Sequence, residues 1–377
     1  MKIRRLCAAL VLAAVLCAGC GPAPQAESSA PLQNDPLLAT WSDEPVMVQL
    51  AEDDARRIVD EDETLARSGG LLLEHWGQGV LNVVTSPSAG EVIVPQHRGH
   101  RLAAENYHID AAGTAWVEWP APPAASDDQW YIYTQPTGGA VTLLDQGTYN
   151  YKRDGMEGGA LSMAASGGNV LWASQDGVQL YRADSGETTV LDAATAAEVA
   201  LGDTDAVWLR QDNMLMHADL ASGAVSELAT LEEGAGTLAI CGRKLILHKD
   251  ASDDLWVYDL AEGDWSLHIE SQPGIALTEP TVLDDEHIAL IRESATAPYQ
   301  LMVASLATGE VQPVESAPYT PLYVLPTVAG DDALEDVDYA ASRLQPIDPE
   351  SGTAIALVRQ QQNGRVENII VPMTFIW

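Results

Sequence analysis

The chain has 377 residues, with 55 Asp and Glu against 19 Lys and Arg, a formal net charge of −36 and a pI of about 4.2. A field of that sign repels nucleic acid and anionic lipid, which excludes a phosphate-backbone binder. Hydrophobic residues make up 46% of the chain, enough to bury a sizeable core, which excludes disorder throughout.

Residues 1–19, MKIRRLCAALVLAAVLCAG, place Lys2, Arg4 and Arg5 ahead of an apolar stretch too short to span a bilayer, the pattern of a secretory signal peptide. The end of this stretch, Cys17-Ala18-Gly19-Cys20, resembles the lipobox of bacterial lipoproteins. The resemblance implies acylation of Cys20 and an exported protein anchored by lipid at the outer face of the bacterial cytoplasmic membrane. Loss of the three leader cations takes the net charge from −36 to −39. Cys241 is then left without a partner for a disulfide, and its place in the apolar run TLAIC predicts a buried, inert thiol. Residues 20–44, rich in Pro, Ala and Ser and without a period, read as a disordered tether.

From residue 45 to 377 the pattern is one of short apolar runs separated by Gly, Asp, Ser and Pro, which is a strand signature. PVMVQL at 45–50 is an isolated strand-like run, and AEDDARRIVDEDE at 51–63 is poorly patterned, with a short helix as one reading. Six copies of a strand, a polar turn ending in Gly and a second strand follow: LNVVTSPSAGEVIV, YIYTQPTGGAVTLL, QLYRADSGETTVL, LMHADLASGAVSEL, WVYDLAEGDWSL and LMVASLATGEVQPV. Their turn glycines, Gly90, Gly139, Gly186, Gly223, Gly263 and Gly309, are spaced by 49, 47, 37, 40 and 46 residues, and each is expected to supply a positive φ. TLARSGGLLLEH at 64–75 aligns with TLAICGRKLILH at 237–248, which gives the unit four strands. A further unit is legible in SRLQPI, TAIALVRQQ, Asn363-Gly364 and RVENIIVPM, but it lacks an outer strand.

Repeats of this length with four strands each predict an all-β fold, a β-propeller, with seven blades favoured over six or eight. The run at 45–50 is expected to complete the last blade and close the ring. LYRADSGETTVL and WVYDLAEGDWSL look like the repeats of TolB-type bacterial propellers, which are related to WD40-like rings. The nearest relative of the Ser-Pro-Asp-Gly turn of that group is Ser174-Gln175-Asp176-Gly177.

No Gly-x-Ser-x-Gly elbow, dinucleotide fingerprint or phosphate loop is present, so no catalytic residue and no resident cofactor are predicted. His97 and His100, three residues apart, are the candidate metal ligands, and the acidic runs leave a divalent cation open. Trp116, Trp172, Trp208 and Trp256 fall in apolar strand runs and are expected between blades. Trp76, Trp119 and Trp130 stand nearer strand ends and are the candidate binding aromatics. The expected function is a membrane-anchored propeller presenting a rim or funnel to a protein, peptide or glycan at the cell envelope. The alternative is an extracellular enzyme with carboxylates facing each other across the funnel.

Overall fold

The computed structural model describes residues 35–377 apart from 52–55, 59–61, 68–69, 76–79, 87–88, 94, 121–127, 149–161, 232–235, 250–251, 295–298, 317–322, 325–338, 349–352 and 363–364. In the strands of 56–93, 323–324, 339–348 and 353–371, Ala354 apart, and at 101, 103–106, 278–279, 294 and 299, the backbone alone is described. Residues 34–377 form one compact unit. Among the described residues every regular element is a strand, and no helix is long and apolar enough to cross a membrane.

Four consecutive antiparallel meanders make separate four-stranded sheets. The first comprises Asp62–Arg67, Gly70–His75, Val80–Ser86 and Ala89–Ile93, and the second His100–Asp110, Gly113–Pro120, Gln129–Pro136 and Thr142–Thr148. The third comprises Ser162–Ser166, Asn169–Ser174, Gly177–Arg182 and Glu187–Asp192, and the fourth Ala196–Leu201, Asp205–Arg210, Met214–Asp219 and Val225–Thr230. A fifth meander, Thr237–Cys241 to Asp264–Ile269, and a sixth, Ile275–Val282 to Glu310–Ser316, repeat the pattern. The first strands of these units lie side by side in order, and Tyr339–Asp348 lies between the sixth and the first, closing the circuit. Successive meanders arranged in a closed circuit are a β-propeller.

The expected closure pairing is present. Val46–Leu50 runs antiparallel to the end of Arg365–Ile376, from Met47 opposite Ile376 to Leu50 opposite Met373. The same strand also pairs in parallel with Val314, Glu315 and Ser316, so it joins the sixth meander and the C-terminal strands into one sheet. The stretch read as a helix departs from expectation: Arg56–Ile58 pairs with Asn368, Ile369 and Ile370, and Asp62–Arg67 opens the first sheet. A long last strand with an open edge offers 56–58 more hydrogen bonds than an isolated helical turn.

The tether also ends sooner than its composition suggests. Leu37–Leu38 adds in parallel to the outer strand of the fifth sheet, and Thr40–Trp41 adds in parallel to that of the sixth. Ala39 N–H donates to the His268 carbonyl at 2.9 Å and Thr40 N–H to that of Gly309 at 2.9 Å, while Ala39 and Trp41 pack on the apolar cluster between the two sheets. Residues 37–50 are therefore a strap over three consecutive units.

The turn after the third strand is repeated in geometry as well as in sequence. Gly186, Gly223, Gly263 and Gly309 have φ between 69° and 75°, and each N–H donates to the carbonyl four residues back. In the second sheet Gly138, not Gly139, has the positive φ.

Apolar burial lies between sheets. The fourth residue of the second strand is Leu73, Trp116, Trp172, Trp208, Leu247 and Leu290 in the six meanders. Trp116, Trp172 and Trp208 are completely buried, and the clusters holding Trp172, Trp208, Leu247 and Leu290 each include residues of the preceding sheet. A buried indole needs an acceptor for its N–H. Trp172 donates to Asp145 at 2.8 Å and Trp208 to Asp192 at 2.9 Å, both carboxylates lying on the outer strand of the sheet before.

Candidate functional site

An antiparallel meander sends the connections after its second and fourth strands to one face, and the turns after its first and third to the other. In the second sheet the first of these faces carries the approach 95–99. There His97 and His100 come together, with ring centroids 5.3 Å apart.

Glu118 is the hub of this cluster. It is completely buried, which demands that its oxygens be satisfied. Gln96 N–H and Trp116 Nε1–H donate to Oε1 at 2.7 and 3.1 Å, and His97 N–H donates to Oε2 at 3.2 Å. The His97 ring Nδ1 lies 3.2 Å from the same oxygen and 3.2 Å from the Tyr133 hydroxyl. His97 stacks on Tyr131 at 3.6 Å, and His100 Nε2 meets the Gln129 carbonyl at 3.0 Å. The carboxylate thus fixes the loop 96–97 over two tyrosines, with Gln96 and Arg98 exposed beside it. Because Glu118 is buried and accepts from the N–H groups of Gln96, His97 and Trp116, it is a positioning group and not a solvent-facing base.

Among the described residues no three His, Cys, Asp or Glu side chains are grouped to hold a metal ion. Trp119 is partly buried against the cluster between the second and third sheets, and Trp130 belongs to that cluster at 3% exposed. Gly147 lies so close to the Trp130 ring that a Cβ there would overlap it. Trp76 and Cys20 lie outside the described residues. Trp256 is partly buried, stacked on His268 at 3.9 Å and capped by Lys249 Nζ 4.6 Å from its ring.

The sequence reading missed Glu118 as a hub, although Trp116 and Glu118 stand two apart on a strand and so share a face. It also missed the buried cluster around Asp205 on the opposite face. Asp205 accepts from Thr204 Oγ1 at 2.6 Å, its Oδ1 lies 2.7 Å from His217 Nε2, and Arg243 Nε of the next sheet is 3.4 Å away. Burial pushes this carboxyl up, but those hydrogen bonds and the Arg243 charge outweigh burial and hold it below its ordinary value.

Other buried ionisable groups are similarly engaged. Burial is the largest influence on Asp145 and raises its carboxyl above the usual range, against hydrogen bonds from Trp172 and Gln179. Burial also acts on Asp192, but the Arg210 guanidinium at 2.6 Å, the Ala194 N–H and Trp208 together bring it below that range. Cys241 is buried, donates to the Asp284 carbonyl at 2.8 Å, and has its thiol pushed up to about 12 by burial and by Asp285 and Asp284. A thiol so placed is inert at neutral pH. On the inner strands, Glu198 accepts from Ser162 Oγ at 3.0 Å.

Neither a protein-family model nor a curated protein matches the sequence. Among solved structures, YCF48 bound to D1 peptide is similar at 9% identity and a TM-score of 0.49, over 86% of this chain and 94% of that one. TolB from Acinetobacter baumannii is similar at 12% identity and a TM-score of 0.39, over 82% and 78%. A structure from a study of two prolyl endopeptidases is similar at 14% and 0.48, over 80% of this chain but 46% of the other.

Proposed function

We propose that this chain is an exported, lipid-anchored binding propeller of seven blades that presents its acidic surface to a cationic protein or peptide. The observation that carries the reading is the division of the described carboxylates into two sets. Glu118, Asp145, Asp192 and Asp205 are engaged in latches between or within sheets. Exposed acids such as Asp184, Glu187, Asp212 and Glu227 form no ion pair closer than 4 Å among the described residues, and they leave a strongly anionic surface. Such a surface steers cationic partners and weakens with salt.

The enzymatic alternative has less support. Asp145 has a raised carboxyl, but it lies on an outer strand and is held by Trp172. The glycan alternative calls for open stacking rings, and Trp130 is packed in a core.

Purified protein is expected to bind basic peptides with an affinity that falls as salt is raised, and to leave them intact. Turnover of a peptide or glycan, abolished by Glu198→Gln, would overturn the reading. Cys20→Ala is expected to release the protein from the membrane fraction, and retention there would refute the anchor.

A further inference from the structure

The strap shows how this molecule fills the open edge of a blade. Leu38 pairs with His268, which stands opposite Trp256 on the outer strand of the fifth sheet. The ladder position opposite the corresponding third-strand residue, Gln179, is Val190 in the third sheet. Among the described residues no strand covers it: Glu187–Asp192 ends its sheet, and Val190 is 59% exposed.

This edge is also built to pair. Thr188, Thr189 and Val190 are β-branched, and the strand contains neither Lys nor Pro, the residues that commonly blunt an edge. In the fourth sheet the equivalent position, opposite Met216, is Glu227.

The surroundings specify the charge of what would pair. Residues 162–230 hold ten Asp and Glu against two Arg. Both arginines are used internally, Arg210 on Asp192 and Arg182 on the Leu220 carbonyl. The strap of a second copy, residues 37–50, would bring Asp43 and Glu44 and no cation to this edge.

We infer that the outer edge of the third sheet, Glu187–Asp192, receives an extended, basic segment of a partner protein as an added strand. Main-chain hydrogen bonds supply affinity, an apolar residue covers Val190, and flanking lysines or arginines meet Asp184 and Glu187. The inference rests on the binding function proposed above and narrows it to one edge.

The test uses the full chain and two synthetic probes, Lys-Val-Lys-Val-Lys-Val-Lys and Lys-Val-Lys-Pro-Lys-Val-Lys. Both carry the same charge, but the proline removes a main-chain donor and blocks the ladder. The first probe is expected to bind at least ~10-fold more tightly than the second and to slow amide exchange in residues 187–192. Val190→Lys, on an exposed side chain, should keep the thermal midpoint and lose about tenfold in affinity for the first probe. Equal affinity of the two probes, or protection confined to the 95–99 face, would overturn the edge while leaving the binding function standing. Failure of both probes to bind at low salt would overturn both.

Discussion

Asp145 and Asp192 do the same work on neighbouring sheets, each accepting an indole N–H from the next, yet they lie on opposite sides of the ordinary carboxylate range. The difference is the guanidinium: Arg210 reaches Asp192, whereas Asp145 has the neutral donors Trp172 and Gln179. A carboxyl held below its unfolded value stabilises the fold above that value and loses this contribution as pH falls through the folded one; a raised carboxyl does the reverse. Asp192→Asn is therefore expected to lower the thermal midpoint at pH 7, with the deficit shrinking toward pH 3. Asp145→Asn keeps an acceptor for Trp172 and is expected to raise the midpoint at pH 7, with the gain vanishing in acid. Thermal unfolding across that range checks both signs, and a deficit at pH 7 for both variants would contradict the assignment. The buried tryptophans were legible as core because each sits in an apolar run. Their acceptors were not, since Trp172 to Asp145 spans 27 residues and no local pattern marks the pair.

The repeat itself was legible because strand and turn signals are local. A turn glycine with positive φ and an N–H bonded four residues back recurs at Gly186, Gly223, Gly263 and Gly309. The strap was hidden for the opposite reason: Leu37 pairs with Leu267, and two-residue parallel additions leave no period. Arg56–Ile58 was hidden for the same reason, since its partners at 368–370 are distant in sequence.

Two glycines with the same φ separate turn from strap. At Gly186 a Cβ would meet nothing within 4 Å, whereas at Gly309 it would come 2.9 Å from Leu267 Cδ1 and 3.0 Å from Leu37 Cδ2. Gly186→Ala is expected to cost roughly 1–2 kcal/mol from the left-handed backbone alone. Gly309→Ala is expected to cost more, with the excess falling when Leu37 is also changed to Ala. A double-mutant cycle in denaturant measures this coupling. Equal costs at the two glycines would show that the strap is not seated on the sixth unit.

At the scale of the whole molecule, the closed circuit fixes which groups reach solvent. Buried polar groups stitch sheet to sheet, as Lys244 does with the Leu306 carbonyl at 3.3 Å and Ser166 with Asp203 at 2.7 Å. Exposed acids such as Asp184 and Glu187 are the groups that the proposed binding function would use. The ring was legible from the repeat length and the missing strand of the last unit; the division of acids needed three-dimensional contacts. The central proposal, that this ring is a polypeptide-binding module, is tested most directly by photo-crosslinking in intact cells. A photoreactive residue would be placed in turn at Arg98, exposed on the 95–99 face, and at Val190. A discrete adduct with another polypeptide, lost when crosslinking is repeated at high salt, is the predicted result. No adduct at either position, together with substrate turnover by the purified protein, would contradict the account.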